Sequence, residues 1–196
     1  MSCNACRAAF AASDNKVSAV NNCIDQVCGC EKFSVSDYSP GRVQDDEFLH
    51  FLVYTPEGRS ENGKLSPALL MQVDRDGLSV LRDGAADCEF DETMSALRPR
   101  WQTNGRSLEG IMTFAVSAVR HTPGGRFSCV YDTGMEKKPW HADLMLPELT
   151  ATSKSQAKRL RFERLKALVD LIGNDFSDMK AFRNGRLAHL GENAAA

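Results

Sequence analysis

Five of the seven cysteines in this 196-residue chain lie within its first thirty positions. Cys3 and Cys6 fall in "MSCNACRAAF", and Cys23, Cys28 and Cys30 in "NNCIDQVCGC". Thiols crowded at one end constrain the fold strongly, because so short a segment holds little apolar volume of its own and needs a staple. Zinc takes four soft ligands in a tetrahedron, and a Cys-x-x-Cys turn offers two thiolates from one tight loop. Cys3-Asn-Ala-Cys6 supplies one pair and Cys28-Gly-Cys30 the other, with Gly29 turning the backbone without Cβ strain. Cys23 is an alternative ligand in place of Cys28 or Cys30. Such a site is closed and structural. It would pin both ends of a helix over 14–27, where Val17, Val20, Ile24 and Val27 share a face and Asp14 is the N-cap. Against zinc stand free, partly buried thiols, since cysteine packs like a small hydrophobe, and an iron–sulfur cluster.

That preference rests on the compartment. The N-terminus lacks the basic start and apolar core of a secretory signal. No uninterrupted apolar run approaches the ~20 residues needed to span a bilayer. The expectation is a cytoplasmic protein, in which cysteines serve as thiols or ligands and not as a disulfide framework. A net charge of −2 predicts no whole-molecule attraction to nucleic acid or acidic membranes, so any such binding needs a local patch.

The remaining chain is organised as one body. Residues 1–33 form the Cys-rich module, and 34–46, rich in Ser, Asp, Pro and Gly, read as a linker. Residues 47–190 form the main domain, and 191–196 a disordered tail. Within the domain, 47–56, 78–82, 126–133 and 140–147 have the apolar, β-branched pattern of strands, while 67–73 fits helix or strand. Helices are expected over 91–101, ended or kinked by Pro99, and over 108–120, an apolar run stopped by "PGG". The clearest helix starts at the capping-box spacing of Ser153 and Gln156. It carries Phe162, Leu165, Val169, Ile172 and Phe176 as one stripe, with Gly173 near its end. Strands and helices without βαβ alternation imply α+β: a mostly antiparallel sheet with packed helices, plus the small N-terminal helical module.

Two further features carry chemistry. His141 begins a strand with Asp143 on the same face, and Asp132 ends the strand before it. A carboxylate beside an imidazole orients it and raises its basicity, which suits acid–base work. His50 joins them if its strand is a neighbour. The bland reading is a hydrogen-bonding anchor beside a turn, with Trp140 as packing. Ser79 and Ser66 lack the glycine context of a nucleophile elbow, and Cys88 and Cys129 lie in or beside apolar runs as inert buried thiols. No phosphate-binding glycine string and no H-E-x-x-H are present. The second feature is the basic face of 154–166, where Lys158, Arg159, Arg161 and Arg164 suit a phosphate backbone or an acidic protein surface. Two functions are therefore expected. One is a zinc-stabilised module that binds a protein, or a nucleic acid through 154–166. The other is a hydrolase or group transferase with His141 as acid–base residue and Asp143, Asp132 or His50 as helper. They part on whether His50 and His141 open into one pocket.

Overall fold

A computed structural model describes residues 4–12, 15–21, 28–56, 58–60 and 62–185. The chain is α+β, built on a six-stranded antiparallel sheet. After helices α1 (Asn4–Ala12) and α2 (Lys16–Asn21) comes a 3-10 turn (Gly29–Lys32), then β1 (Phe48–Thr55), a second 3-10 turn (Pro67–Leu70) and β2 (Leu78–Arg82). Helix α3 (Asp87–Thr103), β3 (Ser107–Ala115), α4 (Val116–Arg120) and the small hairpin β4 (His121–Thr122) and β5 (Gly125–Arg126) follow. The chain continues through β6 (Cys129–Asp132), β7 (His141–Met145), α5 (Lys154–Ile172) and β8 (Phe176–Ser177). The strand order is β6-β7-β2-β1-β3-β8.

Alternation along these strands sorts the core into two sides. Leu49, Phe51, Val80, Met112, Phe114, Ala142 and Leu144 point to one face and are buried with Leu165, Leu168, Val169 and Ile172 of α5. Ser153 caps α5 by accepting from Gln156 N at 3.2 Å, while the Gln156 side chain accepts from Thr152 N at 2.8 Å. The expected stripe holds at Leu165, Val169 and Ile172. Phe162 is 62% exposed, however, and Phe176 lies beyond Gly173, in β8. The expected helix over 108–120 is instead the strand β3 with the five-residue α4 behind it. Ile111 packs on one face of the sheet and Met112 and Phe114 on the other, so both sides of the strand are apolar. Periodicity cannot separate such a strand from a buried helix.

The opposite face has two separate covers. Over β1 and β3 lies α3, where Phe90 and Trp101 cluster with Leu52, Leu81, Ile111 and Phe182. This helix starts earlier than expected, with Glu89 accepting from Ala86 N at 3.1 Å, and continues through Pro99. Over β6 and β7 lies the N-terminal module, where Val17, Val20 and Val35 cluster with Tyr131 and Met145. The 34–46 stretch runs against the sheet, and Val35 and Val43 are buried.

The module corrects the zinc expectation. Cys6 is disulfide-bonded to Cys30, and Cys28 to Cys129, with Cα–Cα separations of 6.2 and 5.4 Å. Three of the four expected ligands are thereby consumed as cystine sulfurs. Among the described residues, no group of three His, Cys, Asp or Glu side chains could hold a metal ion. Cys3, the alternative ligand Cys23 and residues 22–27 of the expected helix lie outside the described residues. The partner missed was Cys129, 101 positions from Cys28 and brought beside it only by the fold. Expected as a buried inert thiol, Cys129 is half of a bridge, and Cys88 is free and exposed. A buried ion cluster fastens the same seam. Arg120, fully buried, donates to Glu31 at 2.7 Å, to Val43 O at 3.0 Å and to Asp45. Glu31 also accepts from Val130 N at 2.7 Å and pairs with Arg126. The hydrogen bond from Arg120 holds the Asp45 carboxyl below its ordinary value. No described helix is long and apolar enough to cross a membrane.

Candidate functional site

The sheet is not closed along its middle. β1 and β2 pair only at Leu49 with Arg82 and at His50 with Leu81. Hydrogen-bonded pairs alternate along an antiparallel ladder. Arg82 N donates to Trp140 O at 2.9 Å, so the even positions of β2, Leu78, Val80 and Arg82, bond toward β7. Ser79 and Leu81 therefore turn their main-chain groups toward β1. On β1, Val116 N donates to Glu47 O at 3.0 Å, which commits the odd positions to β3 and leaves His50 and Leu52 facing β2. Leu52 and Ser79 would be the next pair, but the register has ended. A bulge follows in β1 at Val53/Tyr54, and Gly77, at φ 89°, turns the chain into β2.

The opening is a cleft of about 410 Å³. Its walls include Leu52 and Tyr54 of β1, Ser79 of β2, Leu97 and Trp101 of α3, and Leu69 of the second 3-10 turn. His50 and His141 both line it. Register puts His50, Leu81 and His141 in one row across three strands, so the imidazoles stand two strand spacings apart, roughly 10 Å.

Their surroundings differ. His50 is 4% exposed. Its Nδ1 lies 3.0 Å from Thr113 Oγ1 and its Nε2 3.4 Å from Asp83, and its ring packs on Phe182 and Phe90. It is an anchored side chain at the α3 end. His141 is 2% exposed, and its Nε2 lies 2.5 Å from the hydroxyl of Ser79, a residue that is itself exposed to the cleft. A proton on Nδ1 finds both oxygens of Thr133, the hydroxyl at 2.8 Å and the main-chain carbonyl at 3.3 Å. A carbonyl only accepts, so this tautomer is the one that uses both. Nε2 is then a lone pair, and Ser79 donates to it.

Burial pushes the His141 pKa down, the Asp143 carboxylate pulls it up, and Lys138 adds to the lowering. The imidazole is therefore neutral at pH 7, the form that takes a proton. Asp143 is buried two residues along the same strand face, opposite Ser79 in register. Asp132 falls on the other side of the sheet, beside Ala142, and accepts from Val35 N at 2.8 Å and Ser39 Oγ at 2.7 Å. It ties the 34–46 stretch to β6 and stays away from His141.

Sequence reasoning identified His141 and Asp143 but set Ser79 aside for want of an elbow glycine. The signal for Ser79 was the alternation in "LSVLR", which turns Ser79 and Leu81 to the face opposite Leu78 and Val80. Thr133 and Lys138, on the turn before β7, had no such signal. The basic residues of α5 are divided. Arg161 bonds Asp74 and Met71 O, and Arg164 bonds Pro147 O at 2.6 Å. Lys158 and Arg159 are exposed, Arg159 lying 3.8 Å from Glu163. No family model, curated protein or solved structure matches the chain.

Proposed function

We propose that the chain is a hydrolase, or a transferase using the same acyl-enzyme chemistry, with Ser79 as nucleophile and His141 as general base. The observation that carries this reading is the 2.5 Å approach of Ser79 Oγ to a buried, neutral His141 Nε2 at the wall of an open cleft. Geometry of this kind activates a hydroxyl that is otherwise a poor nucleophile. Thr133 takes the orienting part, holding the Nδ1 proton away from Ser79, and Asp143 favours the imidazolium that forms.

Ser79 Oγ bonds to the substrate carbonyl carbon while its proton passes to His141 Nε2. The carbonyl π pair moves to oxygen, giving the tetrahedral oxyanion. Collapse breaks the bond to the leaving group, which takes the proton from His141. Water, or another acceptor hydroxyl, then repeats the sequence on the acyl-serine and restores Ser79. The two disulfides favour an oxidising compartment as the place where this occurs.

A fluorophosphonate probe tests the assignment. The wild-type chain is expected to gain the phosphonyl mass on Ser79 with loss of fluoride, and Ser79→Ala and His141→Gln to gain none. Wild-type protein that stays unlabelled while its circular dichroism is native sinks the reading, as does label persisting in Ser79→Ala.

A further inference from the structure

Beyond the reacting pair, apolar and aromatic side chains from three elements wall the cleft. Leu52 of β1 stands across from Ser79 in the extrapolated register of the two strands, and it packs with Trp101 and Leu97 of α3. Leu97 and Trp101 are four residues apart, so they line one stripe of the helix a turn from each other. Tyr54 lies two residues beyond Leu52 along β1, roughly 7 Å on. Its ring is 5.7 Å from that of Trp101. The second 3-10 turn adds Leu69 and, directly after the turn, Met71. Met71 is a large apolar side chain that stays 44% exposed.

These walls select a kind of ligand. A sugar or an extended peptide carries polar groups along its whole length, and each needs a partner once water is removed. The side chains of Leu52, Leu69 and Leu97 offer none, so beyond the carbonyl at Ser79 they suit hydrocarbon. Arg100 and Arg106 also border the cleft. Arg100 is exposed, and Arg106 lies over the Tyr54 ring at 4.9 Å. Long basic side chains of this kind lay their methylene stems along apolar surface and keep the charged head in water. The size follows from the volume. At roughly 30 Å³ for each water-sized group, 410 Å³ holds about a dozen.

We infer that the cleft takes a neutral aliphatic acyl group of about eight carbons, with its carbonyl at Ser79 and its chain along Leu52, Leu97, Trp101 and Met71. The place of the carbonyl rests on the Ser79–His141 reading, whereas the chain site stands on the walls of the cleft.

Two measurements on the full disulfide-bonded chain separate these parts. Calorimetric titration of Ser79→Ala with straight-chain methyl ketones, from butanone to decanone, reads binding without turnover. Affinity should rise by up to about fourfold per added methylene and level off near octanone, where the cleft is filled. Two substitutions on different walls, Leu97→Gln on α3 and Ala68→Trp at an exposed position of the 3-10 turn, should remove most of that gain from folded protein. Affinity that is flat with chain length overturns the inference, as does a gain that survives both substitutions. Kinetics of the wild-type chain then compare 4-nitrophenyl acetate, butyrate and octanoate, with kcat/KM expected to rise in that order. Hydrolysis that depends on Ser79 but is indifferent to chain length upholds the catalytic pair and overturns the acyl site. Ketone binding that behaves as expected, without hydrolysis of any ester, upholds the acyl site and overturns Ser79–His141 catalysis.

Discussion

The two faces of the sheet are closed by different means. On the α5 side one helix and the strands beneath it form one apolar layer, in which Leu144 and Leu168 are fully buried. On the other side α3 and the N-terminal module share the work, and polar side chains, Ser79, Asp143, His50 and His141, sit among the apolar ones. The first face is mostly apolar, with Arg82 and Asp132 the buried charged residues at positions paired with Leu49 and Ala142. The second carries two buried imidazoles and the Asp143 carboxylate, which cost free energy unless each is partnered, and it leaves a cleft between α3 and the parting strands β1 and β2. A face assembled from separate covers needs fastening, and here it has disulfides and a buried ion cluster.

Severing the fastening should have the largest effect. Replacing Cys28 and Cys129 together by serine opens a cross-link between residues 101 positions apart. The chain-entropy argument puts the loss at about 4–5 kcal/mol, read as a shifted denaturation midpoint in urea. An unchanged midpoint would mean that the module is not fastened through this bond. Next comes the apolar face. Leu168→Ala, at a fully buried position, should lose about 2–5 kcal/mol, with the amount set by how far α5 collapses into the cavity. The comparison between faces predicts that Leu168→Ala leaves fluorophosphonate labelling of folded protein intact. Loss of labelling in a still-folded variant would show that the two sides are coupled.

Local pattern carried most of the sheet and little of the site. Strands 47–56 and 78–82 were visible because they are bounded by turn residues and rich in β-branched or aromatic side chains. α5 was visible because Ser153 and Gln156 mark its start. The strand at 107–115 was hidden by being apolar on both faces, a tertiary property. The Cys28–Cys129 bridge was hidden by sequence distance, and a compartment argument then steered the remaining cysteines toward metal. His141 could be singled out, but its role depends on Ser79 and Thr133. These reach it only through strand register and a turn, neither of which spacing in one sequence encodes.

A smaller effect sharpens the account of the cleft face. The folded-state pKa of His141 lies below its unfolded value, because burial outweighs Asp143, while Lys138 and Lys16 add to the lowering. The unfolded chain therefore binds more protons as pH falls below about 6.5, the ordinary imidazole value. Stability from this residue is complete above that pH and is lost as pH falls toward the folded pKa, with a slope of at most about 1.4 kcal/mol per unit. In His141→Gln that slope should disappear from urea denaturation between pH 7 and 5, leaving the part contributed by other groups. An unchanged slope would mean that His141 is not the buried neutral base that the proposed chemistry requires. Ser79→Ala, by contrast, removes one hydrogen bond and should cost about 1 kcal/mol or less.

The smallest effects belong to the outer surface of α5, where they decide what that helix is free to do. Arg159 and Glu163 are 3.8 Å apart, with side chains 70% and 59% exposed, so Arg159→Ala should change stability by no more than about 0.5 kcal/mol. Arg161 is half-buried and holds both Asp74 and the Met71 carbonyl, so Arg161→Ala should cost more. The order matters for a phosphate or acidic partner. A contact made by α5 has Lys158 and Arg159 to use, and Arg161 contributes only by releasing Asp74. Salt-dependent binding to a nucleic-acid probe that falls with Lys158→Glu and Arg159→Glu would place a second surface on the stable face. If those two changes leave such binding intact, or none is found, α5 serves the core alone, and contact with other molecules belongs to the side of the sheet that has the cleft.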